Sequence, residues 1–446
     1  MTIFVIGGGG REHAIVTALA SDPRITKIYC APGNAGIAMT GRGAHCASAD
    51  DHPGPASHPS KEGNCLPLQL ECLPIKVTER DKLVALAAHI KPDITFVAQD
   101  DAQALGVVDG IRALGLKAFG ATQKAARIES SKAFAKTLMK KYGIPTAASE
   151  MFVGIESALT FIKRRTPPFV VKADGLALGK GVVIAQTLAE AEAALRAMFG
   201  GKFGQAGARV LIEDFMEGTE ATAMVFADGE HYKPMPWAQD YKRSHDGGQG
   251  LNTGGMGSIS PAHTYTPELA AQVEREIIAP ILAAMAKENC PFTGILYAEL
   301  MITPTGPKVI EFNARFGDPE AQTVLPLLET PLLDIVEAIL ANKLDTLDIR
   351  WKPAASCCVV MASGGYPGEY KIGRPVTLPE TLPEDVTVYH AGTRRAANGA
   401  PYVTAGGRVL GITAVRATVN EAVAAAYQAV ETIHFDGAHY RKDIGQ

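Results

Sequence analysis

The first hundred residues alternate short apolar runs with a glycine turn and helical spacing. Residues 3–6 form an apolar run, the turn GGGGREH follows, and residues 13–20 have helical spacing. Two further strand-like runs lie at 25–30 and 94–98, and a helical stretch at 81–90 precedes the second. Strands alternating with helices are typical of a doubly wound parallel sheet, because parallel strands need a crossover. The alternation therefore predicts an N-terminal parallel α/β unit.

Length and composition are those of an ordinary multidomain chain. Its 446 residues are 47% hydrophobic and 20% charged, enough for about two to four domains with buried cores. The net charge of -4 gives no reason to expect nucleic acid or an acidic membrane as partner. No apolar run approaches the roughly 20 residues that span a bilayer. The N-terminus has no cationic leader, so we expect a cytoplasmic protein.

The seven cysteines show no CxxC spacing, which predicts reduced, structural thiols. A zinc hypothesis arises where cysteines lie near histidines, but the spacings match no common zinc pattern. That group comprises Cys46, Cys65, Cys72, His45, His52 and His58. The segment Asp51–Leu73 is rich in Pro, His, Ser and Gly, shows no period, and is predicted to be an exposed loop.

Punctuation along the chain suggests three units. The helix predicted at 132–142 is stopped by Gly143 and Pro145. Beyond about residue 344, strand-like runs and glycine turns precede a closing helix. The predicted domains are 1–121 (α/β), 122–343 and 344–446 (small and β-rich).

The stretch KVIEFNARFGDPE at 308–320 combines a strand with clustered polar groups at its end. Residues two apart on a strand point the same way, so Glu311 and Asn313 are expected to be neighbours. Mg²⁺ binds a few protein oxygens alongside substrate phosphates, which predicts a metal site here. Arg315 can neutralise phosphate charge, and Asp318, beyond Gly317, could orient an amine. A hairpin with a solvated charged end is the alternative.

Two glycine-rich turns predict phosphate contacts. GGGGREH places backbone N–H groups at a helix N-terminus, which suits phosphate. Glu12 stands where a dinucleotide fingerprint needs Gly or Ala, which argues against a nicotinamide cofactor. In VVKADGLALGKGV, Lys172 lies on a strand and Lys180 in a flap that could close over polyphosphate. A tight turn that binds nothing and a plain hairpin are the respective alternatives.

Two further segments carry polar groups without a regular period. In VLIEDFMEGTEAT, Glu213 and Phe215 end an apolar strand, where a hinge could meet an adenine edge. Residues 247–257 hold six glycines in eleven positions, which predicts an irregular backbone-rich loop for a small polar substrate. A solvated strand end and a mobile surface loop are the alternatives. No acyl-enzyme elbow or P-loop motif is present.

Taken together, these motifs resemble the glycinamide ribonucleotide synthetase family of the ATP-grasp superfamily. The likeness covers nearly the whole chain in order: GGGGREHA, PGN at 32–34, SKAFAKTLMKKYGIPTA, KADGLALGKGV, AQDYKR, NTGGMG, LYAELMIT, EFNARFGDPEAQ, HAGT and GGRVLGITA. It implies a central ATP-grasp fold with a glycine-rich lid at about 145–208, between the substrate-binding N-terminal α/β domain and a β-rich C-terminal domain. It also implies that ATP, glycine and 5-phosphoribosylamine give glycinamide ribonucleotide, ADP and phosphate, through a glycyl phosphate, in purine synthesis.

The resemblance carries roles to individual positions, with a monomer or weak homo-oligomer expected. Catalytic candidates are Arg315, Asp318 and Lys172. ATP-binding candidates are Lys132, Lys172, Gly179, Lys180, Gly181, Glu213, Phe215 and Glu220. Substrate-binding candidates are Gly8, Gly9, Arg11, Glu12, Asn34, Asp100, Asp240, Lys242, Asn252, Thr253, Gly254, Arg315, Gly317 and Asp318. Candidate ligands for Mg²⁺ or Mn²⁺ are Glu311 and Asn313, with Glu299 as a further candidate.

Three positions depart from the family pattern. Asp100 stands where the family usually has Glu, Tyr241 where it commonly has His, and Glu299 where it commonly has Gly. The segment from about Met39 to Leu70 is extra. The alternatives are another ATP-grasp carboxylate–amine ligase or purine-pathway carboxylase, and a nucleotide-sensing protein without turnover.

Overall fold

The computed structural model of the chain describes residues 1–41, 67–175, 181–202, 207–396 and 401–446. The predicted site residues Gly179 and Lys180 lie outside these ranges, as does the zinc hypothesis apart from Cys72. A search of the described residues for a helix both long and apolar enough to cross a bilayer finds none.

The N-terminal unit is a parallel sheet with the strand order β3-β2-β1-β4-β5. Its elements are β1 (Thr2–Gly7), α1 (Gly10–Ala20), β2 (Lys27–Pro32), β3 (Gln69–Cys72), α2 (Arg80–Ile90), β4 (Ile94–Val97), α3 (Asp100–Ala104), α4 (Val107–Arg112) and β5 (Ala118–Phe119). The predicted doubly wound sheet is confirmed. The strand order reverses between β1 and β4, and ligands of open parallel sheets bind at the carboxyl ends next to such a reversal.

The strand β3 corrects the prediction that all of Asp51–Leu73 is a loop. Residues 69–72 pair in parallel with β2 at the edge of the sheet. Their side chains alternate between exposed and half-buried, so the apolar pattern is weak. An edge strand with one covered face needs little apolar sequence, which is why composition alone missed it.

A lid sheet of antiparallel strands follows, in the order β6-β9-β7-β8. Two helices, α5 (Arg127–Ser130) and α6 (Lys132–Tyr142), precede this sheet. The strands and their connecting helices are β6 (Ser149–Phe152), α7 (Ile155–Ile162), β7 (Phe169–Ala173), β8 (Val182–Ala185), α8 (Leu188–Ala197) and β9 (Val210–Asp214). Helix α6 has the predicted bounds. It ends at Gly143, whose φ of 68° is a left-handed conformation that glycine adopts without strain.

The central segment contributes strands to more than one sheet. Its elements are β10 (Thr219–Asp228), β11 (Tyr232–Pro234), β12 (Gln239–Asp240), β13 (Arg243–His245), β14 (Gln249–Asn252), β15 (Gly257–Ser260), α9 (Pro267–Val273), α10 (Ala279–Lys287), β16 (Thr293–Thr303), β17 (Gly306–Asn313), α11 (Glu320–Val324) and α12 (Leu332–Leu340). Strands β11, β10, β16 and β17 form one antiparallel sheet. The sequence predicts an antiparallel pair of residues 296–303 and 308–313 across a Pro-Thr-Gly-Pro turn, and the pairing of β16 with β17 confirms it.

The glycine-rich segment 247–257 is more regular than predicted. Residues 249–252 form β14, which pairs with β13 as a hairpin. Gly247 and Gly248, with φ of 66° and 68°, make the turn between the two strands. The glycines therefore serve the reversal, while the flanking backbone can still pair.

The C-terminal unit comprises β18 (Ala355–Ser363), β19 (Pro375–Val376), β20 (Val386–His390), β21 (Thr393–Arg394), β22 (Tyr402–Thr404), β23 (Arg408–Arg416), α13 (Val419–Val430) and β24 (Ala438–His439). Its main sheet has the order β12-β15-β18-β23-β20, with β24 also paired to β18. Two strands of this sheet, β12 and β15, come from residues 239–260. The predicted domain boundaries stay a prediction, and hydrogen-bonded strands cross the one at 343.

Candidate active site

The β16–β17 ribbon places two carboxylates opposite each other. Glu311 pairs with Glu299, and Asn313 pairs with Tyr297. The register then shifts, because Val309 pairs with Leu300 and leaves Ile310 as an extra residue. Glu311 and Asn313 remain neighbours beyond this bulge, as predicted from their spacing.

Ammonium groups surround the Glu311 carboxylate. Lys132, the first residue of α6, lies 2.8 Å from it. Burial alone would raise the pKa of Glu311, but Lys132, Lys172 and Lys242 outweigh burial and hold this pKa well below its usual range. An ionised carboxylate beside several cations is suited to exchange its partners for a metal and phosphates.

Glu213, near the end of β9, pairs with two lysines. Its carboxylate is buried between Lys172 and Lys136, each 2.9 Å away. It is therefore the anion that the buried Lys172 requires. Sequence reasoning missed Lys136, although Lys136 follows Lys132 by four residues on α6, a spacing that places both on one helix face.

The donor set of the ribbon suits a hard divalent cation. Glu311 and Asn313 offer carboxylate and amide oxygens, and Glu299, paired with Lys242, lies across the ribbon. Among the described residues no group of three or more His, Cys, Asp or Glu side chains is arranged to hold a metal alone. Since Mg²⁺ keeps waters and phosphate oxygens in its shell, two or three protein oxygens fit it.

Arg315 is held by a carboxylate that the sequence did not reveal. Glu129, at the C-terminal part of α5, lies 2.8 Å from the Arg315 guanidinium and also accepts the N–H of Ala314 at 2.7 Å. The Arg315 guanidinium donates in turn to Asn313 Oδ1 at 3.2 Å. Glu129 lies far from Arg315 in sequence, and no motif links them, so only the tertiary structure identifies this contact.

Asp318 lies at the start of the turn into α11, with both carboxylate oxygens engaged. Gln322 donates to one oxygen at 2.7 Å, and Arg408 of β23 lies 3.0 Å from the other. Gly317 precedes it, and a Cβ there would lie 2.3 Å from the Glu320 carboxylate. The turn therefore requires glycine for space at this position.

The glycine turn of the N-terminal sheet meets this strand end. Gly9 donates its N–H to Glu12 at 2.6 Å, which caps α1, and Arg11 pairs with Glu12 at 2.6 Å. Arg11 also donates to the carbonyl oxygen of Phe316 at 3.0 Å. A Cβ built on Gly9 would lie 3.6 Å from the Asp318 carboxylate. The turn, with Gly8 and Gly9, is thus brought beside the loop 315–318.

The side-chain amide of Asn34 is hydrogen-bonded to other residues of the chain. Its amide nitrogen donates to the carbonyls of Gly8 at 2.9 Å and His390 at 2.7 Å, and its oxygen accepts the N–H of Ile37 at 2.9 Å. Asn34 therefore fixes the glycine turn. Asp100 lies in the first turn of α3, at the same end of the sheet.

The remaining predicted residues lie on or next to β8, β9, β10 and the segment from β12 to β15. Asp240 is half-buried, and its enclosed Oδ1 has no hydrogen-bond partner among the described residues. Thr253 donates to the Lys242 carbonyl at 2.8 Å. Asn252 ends β14 and Gly254 follows Thr253; Phe215 and Glu220 are exposed next to β9 and on β10, and Gly181 accepts the N–H of Ala173 at 2.9 Å.

Comparison with known proteins places this geometry in a family. Three models of phosphoribosylglycinamide synthetase match: the N domain at residues 1–129, the ATP-grasp (A) domain at 130–321 and the C domain at 356–446. The chain belongs to the phosphoribosylglycinamide synthetase family. The resemblance predicted from its motifs is confirmed, as is the predicted fold.

Relatives of this synthetase family cover the whole chain. Proteins named phosphoribosylamine–glycine ligase from Vibrio cholerae and Pseudomonas aeruginosa are each 44% identical over all of it, which spans 98% and 97% of their own lengths. The crystal structure of phosphoribosylamine–glycine ligase from Thermotoga maritima has a TM-score of 0.81 at 30% identity and full coverage of both chains. A biotin carboxylase from Campylobacter jejuni, 13% identical with a TM-score of 0.71, shares the fold over 98% of this chain and 92% of its own. The ATP-grasp fold implies the use of ATP and a divalent metal.

Proposed function

We propose that this chain is a phosphoribosylamine–glycine ligase, which joins glycine to 5-phosphoribosylamine and converts ATP to ADP and phosphate. The observation that carries the proposal is the hydrogen bond from Arg11 to the Phe316 carbonyl. This bond holds the glycine turn, suited to a sugar phosphate, against the loop that follows the metal-type strand. An amine on the sugar and a carboxylate beside Arg315 would therefore lie within reach of each other.

The chemistry requires activation of a carboxylate. A glycine carboxylate oxygen would attack the γ-phosphorus of ATP as ADP leaves, giving glycyl phosphate. The amine nitrogen would then attack the acyl carbon, lose a proton, and expel phosphate with the electrons of the broken C–O bond. No protein nucleophile is needed, because positioning and charge neutralisation dominate phosphoryl transfer.

The chain's residues divide these tasks by position. Lys132 and Lys172 would neutralise phosphate charge, while Arg315 would contact the transferred phosphoryl group and Asp318 the glycine ammonium. Glu311 and Asn313, with Glu299 as a third candidate, would hold Mg²⁺ or Mn²⁺, which supplies positive charge between phosphates when bound. Lys242 and the segment 252–254 border the same space.

On the N-terminal side, Gly8, Gly9 and Arg11 would bind the sugar phosphate, and Asp100 a ribose hydroxyl. Phe215 and Glu220 would border the nucleotide, under a flap that includes Gly181. We further propose a cytoplasmic enzyme that acts on small molecules as a monomer or weak homo-oligomer.

Coupled measurement of ADP release tests the proposal. Release that requires both glycine and phosphoribosylamine supports it. Release with a different carboxylic acid, or with bicarbonate, would identify another ligase or carboxylase, and tight ATP binding without release would identify a nucleotide-sensing protein. Each of the last two results contradicts the proposal.

A further inference from the structure

Arg408, the first residue of β23, reaches out of the C-terminal unit into the candidate active site. One of its guanidinium nitrogens lies 3.0 Å from the Asp318 carboxylate. A second guanidinium nitrogen, Nη1, donates to the main-chain carbonyls of Asp318 at 2.6 Å and Gly254 at 2.5 Å. A single side chain therefore joins the turn before α11 to the turn after β14.

The C-terminal unit also holds the second polar group of Gly254. The N–H of Gly254 donates to the Tyr366 hydroxyl at 3.1 Å. A Cβ on Gly254 would lie 3.0 Å from the Arg408 guanidinium carbon, so the guanidinium lies directly on this backbone. Tyr366 packs on Gly407, where a Cβ would lie 2.2 Å from its ring. Both backbone hydrogen-bonding groups of Gly254 are thus held at the start of β23. Arg408 binds the carbonyl, and Tyr366, which packs on Gly407, binds the N–H.

Asp318 depends on this contact for its charge. Burial alone would raise the pKa of Asp318, but Arg408, Arg11 and the hydrogen bond from Gln322 outweigh burial and lower it. The carboxylate is therefore ionised and held by two side chains, Arg408 and Gln322. A planar guanidinium can hold a carboxylate and two carbonyls together, which an ammonium cannot do with the same geometry.

We propose that Arg408 is a positioning residue of the ligase site, which sets the separation of Asp318 and the Gly254 turn around the glycine substrate. The inference rests on the proposed function and assigns part of the site to the C-terminal unit. It predicts a loss in turnover with glycine, whereas ATP binding, which depends on the lysines of α6 and β7, is preserved.

The kinetic test compares Arg408→Ala and Arg408→Lys with the wild type. We expect kcat/KM for glycine to fall about 10²-fold in Arg408→Ala, since small misplacements have effects of this size. Arg408→Lys should lose less, and added guanidinium should restore part of the activity of Arg408→Ala. The KM for ATP should stay within about twofold in both. Tyr366→Phe, which removes only the hydroxyl, should give a smaller loss in the same direction.

Arg416→Ala is the matched control, because Arg416 ends the same strand, donates to the carbonyls of Val415 and Glu384, and lies 3.9 Å from the Asp385 carboxylate, none of them a residue of the candidate site. Its kinetics should equal the wild type. Unchanged glycine kinetics in Arg408→Ala would overturn the proposal. A parallel loss of ATP affinity and melting temperature, without guanidinium rescue, would overturn it in favour of a purely structural contact.

Hydrogen–deuterium exchange reads the positioning without turnover. Peptides covering 250–256 and 315–320 should exchange faster in Arg408→Ala, while peptides of the lid sheet should not change. Equal exchange in both proteins would overturn the inference even if the wild type uses other substrates. Failure of the wild type to release ADP with glycine and phosphoribosylamine would instead contradict the proposed function.

Discussion

At the scale of single residues, the candidate site concentrates buried and half-buried carboxylates, each paired with a cation. Glu311, Glu213 and Glu129 each face a lysine or arginine within 2.9 Å. Buried ion pairs of this kind recover their desolvation cost only with good geometry, so they are weak devices for stability. Their concentration around one strand end supports the proposed phosphate and metal site.

The first prediction concerns Glu311. Glu311→Ala should fold normally but lose about two to three orders of magnitude in kcat, because one contact that stabilises developing phosphate charge disappears. ADP release and a thermal melt measure the two effects. The exposed Glu268→Ala serves as the control. Near wild-type turnover in Glu311→Ala would mean that the metal binds elsewhere.

The second prediction concerns Glu129. Glu129→Gln keeps an oxygen for the Ala314 N–H but leaves the Arg315 guanidinium without its charged partner. We expect the free energy of unfolding to fall by no more than about 3 kcal/mol, the low end of the cost of breaking a buried pair, because Arg315 keeps acceptors on Asn313 and Phe316 and burial raises the pKa of Glu129 to about 7 in spite of Arg315. Urea unfolding measures it, with Glu268→Gln as the control. A stability equal to that of the wild type would show that Arg315 does not depend on Glu129.

At the scale of elements, helix α1 and strand β20 are joined by two buried histidines. His13 Nδ1 accepts the N–H of His390 at 2.8 Å, and the His390 ring bonds to Thr393 at 3.0 Å. Burial, aided by His390, lowers the pKa of His13 to about 3, and burial lowers the pKa of His390 to about 4. The folded chain therefore keeps both rings neutral in mild acid.

The third prediction follows from the sign of these shifts. Below the ordinary pKa of 6.5, a histidine binds a proton in the unfolded chain, whereas the buried histidine of the folded chain stays neutral. Stability should then fall as pH drops from 6.5 towards the folded pKa values, by up to ~1.4 kcal/mol per pH unit for each histidine. His13→Asn should make this dependence shallower.

Chemical unfolding at several pH values between about 4 and 7 measures this dependence, because the histidines differ in protonation between the folded and unfolded states over that range. The exposed His89→Asn is the control and should retain the wild-type slope. An unchanged slope in His13→Asn would show that the contact between α1 and β20 does not contribute.

At the scale of the whole molecule, the main sheet of the C-terminal unit includes two strands, β12 and β15, from the central part of the sequence. Strand β15 pairs with β18 over residues 257–260, and Gly257 lies so close that a Cβ would be 2.8 Å from the Cys358 carbonyl. Without β18, β15 would expose an unpaired edge. Helix α11 also packs on both β15 and β18.

The fourth prediction is that residues 1–353 do not form an active unit. This fragment should aggregate or remain inactive, because β15 loses its partner and Arg408 is absent. Co-expression with residues 354–446 should restore part of the ADP release. Solubility after gel filtration and activity measure the outcome. A soluble and fully active 1–353 fragment would contradict it.

The reach of sequence reasoning differed from element to element. The parallel sheet, helix α6 and the β16–β17 ribbon were predictable, because apolar period and glycine stops act over a few residues. The edge strand β3 and the hairpin β13–β14 were not. Their pairing depends on a neighbour that supplies hydrogen bonds, while their own sequences are polar or glycine-rich.

By itself, the sequence determined the order of the units and predicted a role for the chemical groups at each turn: glycine for phosphate, lysine for charge, Glu311 and Asn313 for a metal. These are local properties, fixed by side-chain chemistry and short-range backbone preference. The tertiary structure alone decided the partners, placing Glu129 on Arg315, Lys136 on Glu213 and Arg408 on Asp318. Such contacts join residues distant in sequence, and only the packing of whole sheets brings them within hydrogen-bonding distance.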